Sequence, residues 1–501
     1  MWIRPKARLA FHGSTKALSL KLKILLINSH GVFGGAAQAC YRLQRGLKKL
    51  GHNVSMLAGS RHGDHEGVVV AEVNKECRGK SELFNSHFRA EALTSPEGTW
   101  FSPPNPATGI VTHDLVQQAD VINLHWVADF ISTEDVADLL SLGKPVVWTL
   151  HDAKPFTGGC HYAGGCERFK SLCMNCPQVR PSFQDVVRAS HLRDINLLGN
   201  FTNLTIATPS RWLNSEAQRS KLFSGLRTEV IPYGVDLDVF RPARSRALRR
   251  KLGWSEEAVV VLFGGSFLTE RRKGMAIVIE AIRCILQQPD ICSRYERGDL
   301  VFAAFGRGEA ELNSAGFRVH HLGVKTNEDD MARLLQIADL FVCPSLEDNL
   351  PNSVMEAMAC GLPVIGTNVG GIPDMVENGT NGCLVNPGDP VSLARSVQRM
   401  LDKTTDLKQM GRRSREICEA KFGSGIQARA YTSLFEDLLA TPPTKLRGPG
   451  NSGKANRSRL ELNAAMLECE RKLRISPSPV QLWWSKVRSL MRCSRHFLRK
   501  Y

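Results

Sequence analysis

No run of eighteen apolar residues occurs in this chain, so no helix is predicted to cross a bilayer. The opening residues, MWIRPKARLAFHGSTKALSLKLK, lack the continuous apolar stretch of a secretory leader, and none is expected. Aromatic residues are sparse at 7% and do not interleave with basic ones along a groove-like stripe, which argues against a nucleic-acid-binding protein. Acidic residues are missing from one end: residues 1–23 hold six Lys or Arg and no Asp or Glu. Residues 441–501 hold fourteen basic residues against three acidic ones, so the two ends carry the whole +16 excess and the body between them is close to neutral. The fourteen cysteines are mostly single and set in apolar segments, as Cys284, Cys343 and Cys360 are, which suits buried thiols in a reducing cytoplasm. A length of 501 residues leaves room for two domains and tails.

What is present is organised around FVCPSLEDNLPNSVMEAMACGLPVIGTNVGGIPD, residues 341–374. A short apolar strand runs into a loop with two adjacent carboxylates, Glu347 and Asp348. Asn349 is expected to cap a helix beginning at Pro351, where the missing N–H costs nothing. Val354, Met355, Met358 and Ala359 follow at helical spacing, and Gly361 with Pro363 ends the helix before a second strand. A helix amino end offers unpaired N–H groups and partial positive charge to a phosphate or sugar oxygen, with Asp348 before it and Glu356 in its second turn.

This arrangement resembles the donor site of glycosyltransferase family 4, whose motif is two glutamates seven residues apart followed by EAMA-x-G-x-PV. Asp348 and Glu356 hold the acidic positions and EAMACGLPVI completes the motif, the departure being Asp for Glu at the first. The resemblance implies the GT-B fold, two Rossmann-like doubly wound parallel-sheet α/β domains facing a cleft. It implies a donor sugar on Asp348 or neighbouring Glu347, a nucleotide ribose on Glu356, and further donor contacts from Asn349, Leu350, Pro351 and Asn352.

Read in order, Lys23 to Asn28 is a buried-type strand followed by a glycine loop, an amphipathic helix and a second strand, a βαβ opening. Gly34-Gly35 is not the G-x-G-x-x-G of dinucleotide sites; the resemblance makes it a donor-phosphate contact. ADVINLHWV (119–127) and KPVVWTLH (144–151) are further strands with His125 and His151 near the edge where open sheets bind ligands. The family's strand-end histidine, near donor sugar and acceptor, matches His151. In the second half, GGSFLTERRKG ends a strand with Arg272 and Lys273 placed to neutralise a diphosphate, and the family's Lys-Gly pair matches Lys273-Gly274.

Cys160, Cys166, Cys173 and Cys176 fall within seventeen residues in TGGCHYAGGCERFKSLCMNCPQ. Structural zinc, with His161 able to replace one ligand, free thiols and disulfides all remain open; zinc, beside the acceptor side of the cleft, is the expectation. The TGGC-H-Y and DNLPN strings resemble a subgroup of family 4 that makes cell-surface polysaccharides of the colanic-acid type.

The organisation expected is a basic extension at 1–21, an acceptor domain at 22–236 with the cysteine loop at 157–178, and a donor domain at 237–440. The last helix of that domain, 424–439, should cross back to the first. A basic tail fills 441–501: a Pro- and Gly-rich linker outside the catalytic fold, then two helical segments. The second segment, Val480 to Tyr501, sets Trp483, Trp484, Val487 and Leu490 on one face and arginines mainly elsewhere, suiting either an anionic membrane surface or packing on a protein. The expectation is a retaining glycosyltransferase, cytoplasmic or peripheral on the inner membrane face, using a nucleotide sugar and a saccharide or lipid-linked acceptor, with no cofactor for transfer and no nucleic-acid partner. The rivals are a GT-B nucleotide-sugar epimerase and a basic nucleic-acid-binding protein.

Overall fold

The computed structural model describes residues 21–441, apart from residues 61, 62, 64, 73, 74, 96–99, 309–311, 313, 314, 403 and 404, and residues 452–473. The extension at 1–20 and the amphipathic segment from Val480 onward lie outside the described residues.

Two parallel sheets organise the chain. The first holds β1 (Lys23–His30), β2 (Asn53–Ser60), β3 (Val68–Val70), β4 (Val121–Leu124), β5 (Val146–Thr149), β6 (Leu204–Thr208) and β7 (Arg227–Val230), in the order β3-β2-β1-β4-β5-β6-β7. The second holds β8 (Val259–Phe267), β9 (Leu300–Arg307), β10 (His320–His321), β11 (Leu340–Cys343), β12 (Val364–Thr367) and β13 (Gly382–Val385), in the order β10-β9-β8-β11-β12-β13. β4, β5, β6, β11 and β12 are buried at every position, as strands covered on both faces by helices must be, so their sequences read as apolar runs rather than alternations.

In each sheet the strand order reverses once, between β1 and β4 and between β8 and β11. A crevice opens beyond the carboxyl ends of strands at such a point. Gly34 and Gly35 follow β1, His125 follows β4, Lys273 follows β8 and Asp348 follows β11, so the chemistry-bearing residues are delivered to the two crevices by topology.

The chain leaves the first sheet at Val230 and passes to the second domain over residues 231–236. Tyr233, Val235 and Phe240 already sit in that domain's core, and the Val235 N–H donates to the Phe422 carbonyl at 2.8 Å. The helix Ser424–Ala440 returns: Ala428, Tyr431, Leu434 and Phe435 pack with Leu22, Ile24, Leu43 and Leu47 of the first domain.

One boundary differs from expectation. Residues 452–459, read as part of a linker, belong to the helix Ser452–Lys472, and Ala455, Leu462, Met466, Cys469 and Leu473 join the first domain's core beside the helix Gln184–Leu198. Lys472 donates to the Ser182 carbonyl at 2.7 Å. Pro442, Pro443, Gly448, Pro449 and Gly450 precede this helix and only Gly453 falls within it, and its apolar positions outweigh the local basic composition.

Candidate active site

The donor-side loop is fixed by glycine. A Cβ on Gly370, whose φ is +56°, would lie 1.6 Å from the Asp348 carbonyl oxygen, and one on Gly371 would lie 2.0 Å from that of Asn349, so only a bare backbone fits beneath the loop. Asp348 is thereby held inside. Its Oδ2 receives Lys273 Nζ at 2.6 Å and Ser345 Oγ at 3.2 Å, with Arg272 Nη1 at 3.5 Å. Burial alone would raise its pKa, but Lys273 and Arg272 outweigh burial and hold the carboxyl below the usual range. Lys273 ends a short 3-10 turn, Arg271–Lys273, closed by Gly274 at φ 72°, where a Cβ would meet the Pro344 carbonyl oxygen at 2.1 Å. Arg272 donates to Glu270 at 2.5 Å and to the Glu347 carbonyl at 3.3 Å, and its guanidinium lies 3.9 Å from the ring centre of Tyr162. Two cations thus meet one buried aspartate at the cleft.

The helix beyond is Asn352–Ala359, with Pro351 as N-cap and no side-chain cap. Asn349 does not cap it. Its Nδ2 donates to the His151 carbonyl at 3.0 Å and its Oδ1 accepts from Ser210 Oγ at 2.6 Å, because the first domain offers closer partners than the helix end. Leu350 points into the second domain's core, so its side chain is no part of the cleft. Asn352 reaches across, its Nδ2 donating to the Gly35 carbonyl at 2.9 Å. Gly34, at φ 92°, opens the helix Gly35–Lys49, which brings the glycine loop against the amino end of the helix Asn352–Ala359.

Glu356 is buried and receives Arg42 Nη2 at 2.6 Å; Arg42 Nε also donates to Glu328 at 2.6 Å. Arg42 was not singled out by sequence, although a readable signal exists, since it shares the buried face of its helix with Ala39, Leu43 and Gly46. Glu347 faces the other domain, accepting from the N–H groups of Ala163 and Gly164 at 3.2 and 2.9 Å, so it pins the cysteine loop rather than standing in for Asp348.

On the first domain's side, His151 has both ring nitrogens engaged. Its Nε2 lies 3.0 Å from His125 Nδ1 and its Nδ1 lies 2.7 Å from the Tyr233 hydroxyl. Burial pushes the His151 pKa down to about 4 and that of His125 well below its ordinary value. Asp152 accepts from Trp126 Nε1 at 2.8 Å and pairs with His161 Nδ1 at 2.7 Å, while His161 Nε2 meets Ser102 Oγ at 2.9 Å.

Cys160, Cys166, Cys173 and Cys176 line one pocket of about 320 Å³ together with Phe101, Phe169 and Val187. No three His, Cys, Asp or Glu side chains among the described residues are grouped so as to hold a metal ion, and the four thiols do not form the expected tetrahedral zinc sphere. His161 cannot complete one, both its nitrogens being taken, and Cys173 Sγ accepts the Gly158 N–H at 3.3 Å. Burial pushes the Cys173 thiol up to about 12 and raises Cys160 and Cys176 as well. None of these cysteines is in a disulfide.

The family profile described as Glycosyltransferase Family 4 matches residues 33–239, and that described as Glycosyl transferases group 1 matches residues 258–403, one profile on each sheet domain. The chain belongs to the family 4, group 1 glycosyltransferases. This family 4 chain is 31% identical over 231 residues to a D-inositol 3-phosphate glycosyltransferase of Geodermatophilus obscurus, a match covering 44% of this chain and 51% of that protein. It is 29% identical over 232 residues to spore coat protein SA of Bacillus subtilis, covering 42% and 59%. The chain spans about half the length of these sequence relatives. Among solved structures, Anabaena HepE in complex with UDP and glucose is matched with a TM-score of 0.56 at 20% identity, over 83% of this chain and 100% of that one. WaaG, a glycosyltransferase involved in lipopolysaccharide biosynthesis, is matched at 0.54 and 17%, over 82% and 99%. The likeness is one of fold, the two facing parallel sheets of GT-B.

Proposed function

We propose that the protein transfers a sugar, with retention at the anomeric carbon, from a nucleotide-sugar donor to a hydroxyl of a saccharide acceptor. The observation that carries this reading is the meeting of Lys273, Arg272 and Asp348 with the amino end of the helix Asn352–Ala359 and, across the cleft, the Gly34-Gly35 loop. In the transfer the bond from the anomeric carbon to the diphosphate oxygen breaks, a bond to the acceptor oxygen forms, and the acceptor's proton passes to the departing diphosphate. Negative charge grows on that diphosphate, where Lys273, Arg272 and the N–H groups of Asn352 and Ser353 stabilise it. Asp348 meets the donor sugar and steers Lys273; Glu356 meets the ribose; His151 stands between sugar and acceptor. The reading needs no metal or cofactor for transfer.

Its finer part is a lipid-linked acceptor in cell-surface polysaccharide assembly at the inner face of the membrane, supported by the TGGC-H-Y and DNLPN strings and by the name of the WaaG neighbour. No helix among the described residues is long and apolar enough to cross a membrane. HepE was solved with UDP, which makes UDP-sugars the first donors to try. The test is turnover of a panel of UDP-, GDP- and dTDP-sugars by the purified protein and by Glu356→Ala and Lys273→Ala. Removal of one charge-stabilising donor should cost about 10²–10³ in turnover. Undiminished transfer by both variants would sink the assignment.

A further inference from the structure

Four consecutive residues of the cysteine loop, His161-Tyr162-Ala163-Gly164, each make a contact at the cleft. His161 stays with the first domain: its Nδ1 lies 2.7 Å from Asp152 Oδ2 and its N–H donates to the Trp100 carbonyl at 3.0 Å. The next three cross to the second domain. The Tyr162 ring centre lies 3.9 Å from the guanidinium carbon of Arg272, and the N–H groups of Ala163 and Gly164 donate to the Glu347 carboxylate at 3.2 and 2.9 Å. Gly164, at φ +56°, allows the turn that aims its N–H there. The base of this segment is fixed in the first domain. The Tyr162 carbonyl accepts from Gln178 Nε2 at 2.6 Å, the His161 carbonyl accepts from the Ala153 N–H at 2.9 Å, and a Cβ on Gly159 would stand 2.4 Å from the Phe101 ring.

Arg272 is one of the two cations beside Asp348. Its hydrogen bonds and ion pairs among the described residues go to Glu270 at 2.5 Å, the Glu347 carbonyl at 3.3 Å and Asp348 at 3.5 Å, all within its own domain. Glu270, the nearer carboxylate, competes with an incoming diphosphate for the guanidinium N–H groups. A ring against one face restricts the plane of the guanidinium and takes none of those donors. Because the ring belongs to the first domain, opening the cleft withdraws it.

Resting on the transferase reading, we propose that Tyr162 is a positioning residue for the transfer, and that residues 161–164 are a strap by which the first domain sets Arg272 toward the departing diphosphate when the cleft is closed. Glu347 holds the strap down, and Tyr162 acts through Arg272 alone.

Turnover is measured with the donor that the panel identifies. Tyr162→Leu, which keeps bulk and removes the ring, should lower kcat about three- to thirtyfold, the range of a partly buried cation–π contact. The loss should fall on kcat more than on the donor KM, because charge on the diphosphate grows only as the bond breaks. Tyr162→Phe keeps the ring and should recover most of the loss. In an Arg272→Leu background, assayed at raised enzyme concentration, Tyr162→Leu should cost nothing further, whereas a merely structural role would cost the same factor in both backgrounds. Glu347→Leu frees both strap N–H groups, and combining it with Tyr162→Leu should cost no more than the larger single loss. If Tyr162→Leu does not fold, Tyr162→Gln carries the same comparison. Full turnover by the ringless variant, or an equal factor lost in the Arg272→Leu background, would overturn the strap alone. Absence of turnover and of nucleotide binding by the unsubstituted protein across the whole panel would overturn the transferase reading, and the strap with it.

Discussion

His151 and His125 sit in the only stretch of the first domain where two imidazoles share a hydrogen bond among the described residues, and their titration has a consequence for stability. Burial holds His151 at about 4, against the pull of Asp152, and burial and the neighbouring His151 hold His125 well below its ordinary value. The unfolded chain takes up these protons near pH 6.5, while the folded chain refuses them until lower pH. Their contribution is therefore fully present above about pH 6.5 and is lost as pH falls toward 4, by on the order of 3 kcal/mol for His151. Asp348 does not act in this window, because its lowered pKa gives stability that is lost only below the ordinary carboxylate value. Urea midpoints should drop between pH 6.5 and 4, and the double variant His125→Asn/His151→Asn should flatten that slope; equal slopes in the two proteins would contradict it. His151 was legible as a residue at a strand's carboxyl end. Its link to Tyr233, 82 positions away, was not, since a hydrogen bond across that separation leaves no periodicity to read.

At the scale of elements, the buried strands and the helix Met275–Leu286 are legible because continuous apolar runs and glycine stops specify them locally. The joints between elements are less so. Asn349 reads as a helix cap by spacing, yet tertiary partners from the other domain claim it. The chief joint is Arg42, which ties the helix Gly35–Lys49 to Glu356 on the helix Asn352–Ala359 and to Glu328 on the helix Glu328–Leu335. Arg42 is 2% exposed and Glu356 3%, so removing the cation leaves a buried carboxylate uncompensated. Breaking such a pair from one side costs about 3 to 5 kcal/mol, whereas replacing both partners by neutral groups costs much less. Arg42→Met should therefore lower stability by about that amount, and adding Glu356→Gln should return a measurable share of it. Additive losses in the double variant, read by denaturant unfolding, would show that the two groups do not depend on each other.

At the scale of the whole molecule, the chain crosses between its domains at residues 231–236 and again at the helix Ser424–Ala440, and then the helix Ser452–Lys472 locks onto the first domain. The sequence divides residues 441–501 into a linker and two helical segments, and packing puts the first of those segments in the first domain's core. Leu462, Met466 and Leu473 are buried against the first domain, and at ~1.5–3 kcal/mol for each fully buried side chain their loss should remove roughly 5 kcal/mol, a large share of a typical domain's stability. Truncation after residue 441 should thus lower the unfolding midpoint sharply. Deletion of residues 478–501 should leave the midpoint and nucleotide binding intact, because it spares that helix. The amphipathic pattern of the deleted segment, with Trp483 and Trp484 among basic residues, gives it a separate role: each Lys or Arg near an anionic surface adds on the order of 1 kcal/mol of attraction that salt screens. Removing residues 478–501 should abolish salt-sensitive recovery on anionic liposomes. Equal recovery with and without them would place the segment with the fold instead of the membrane.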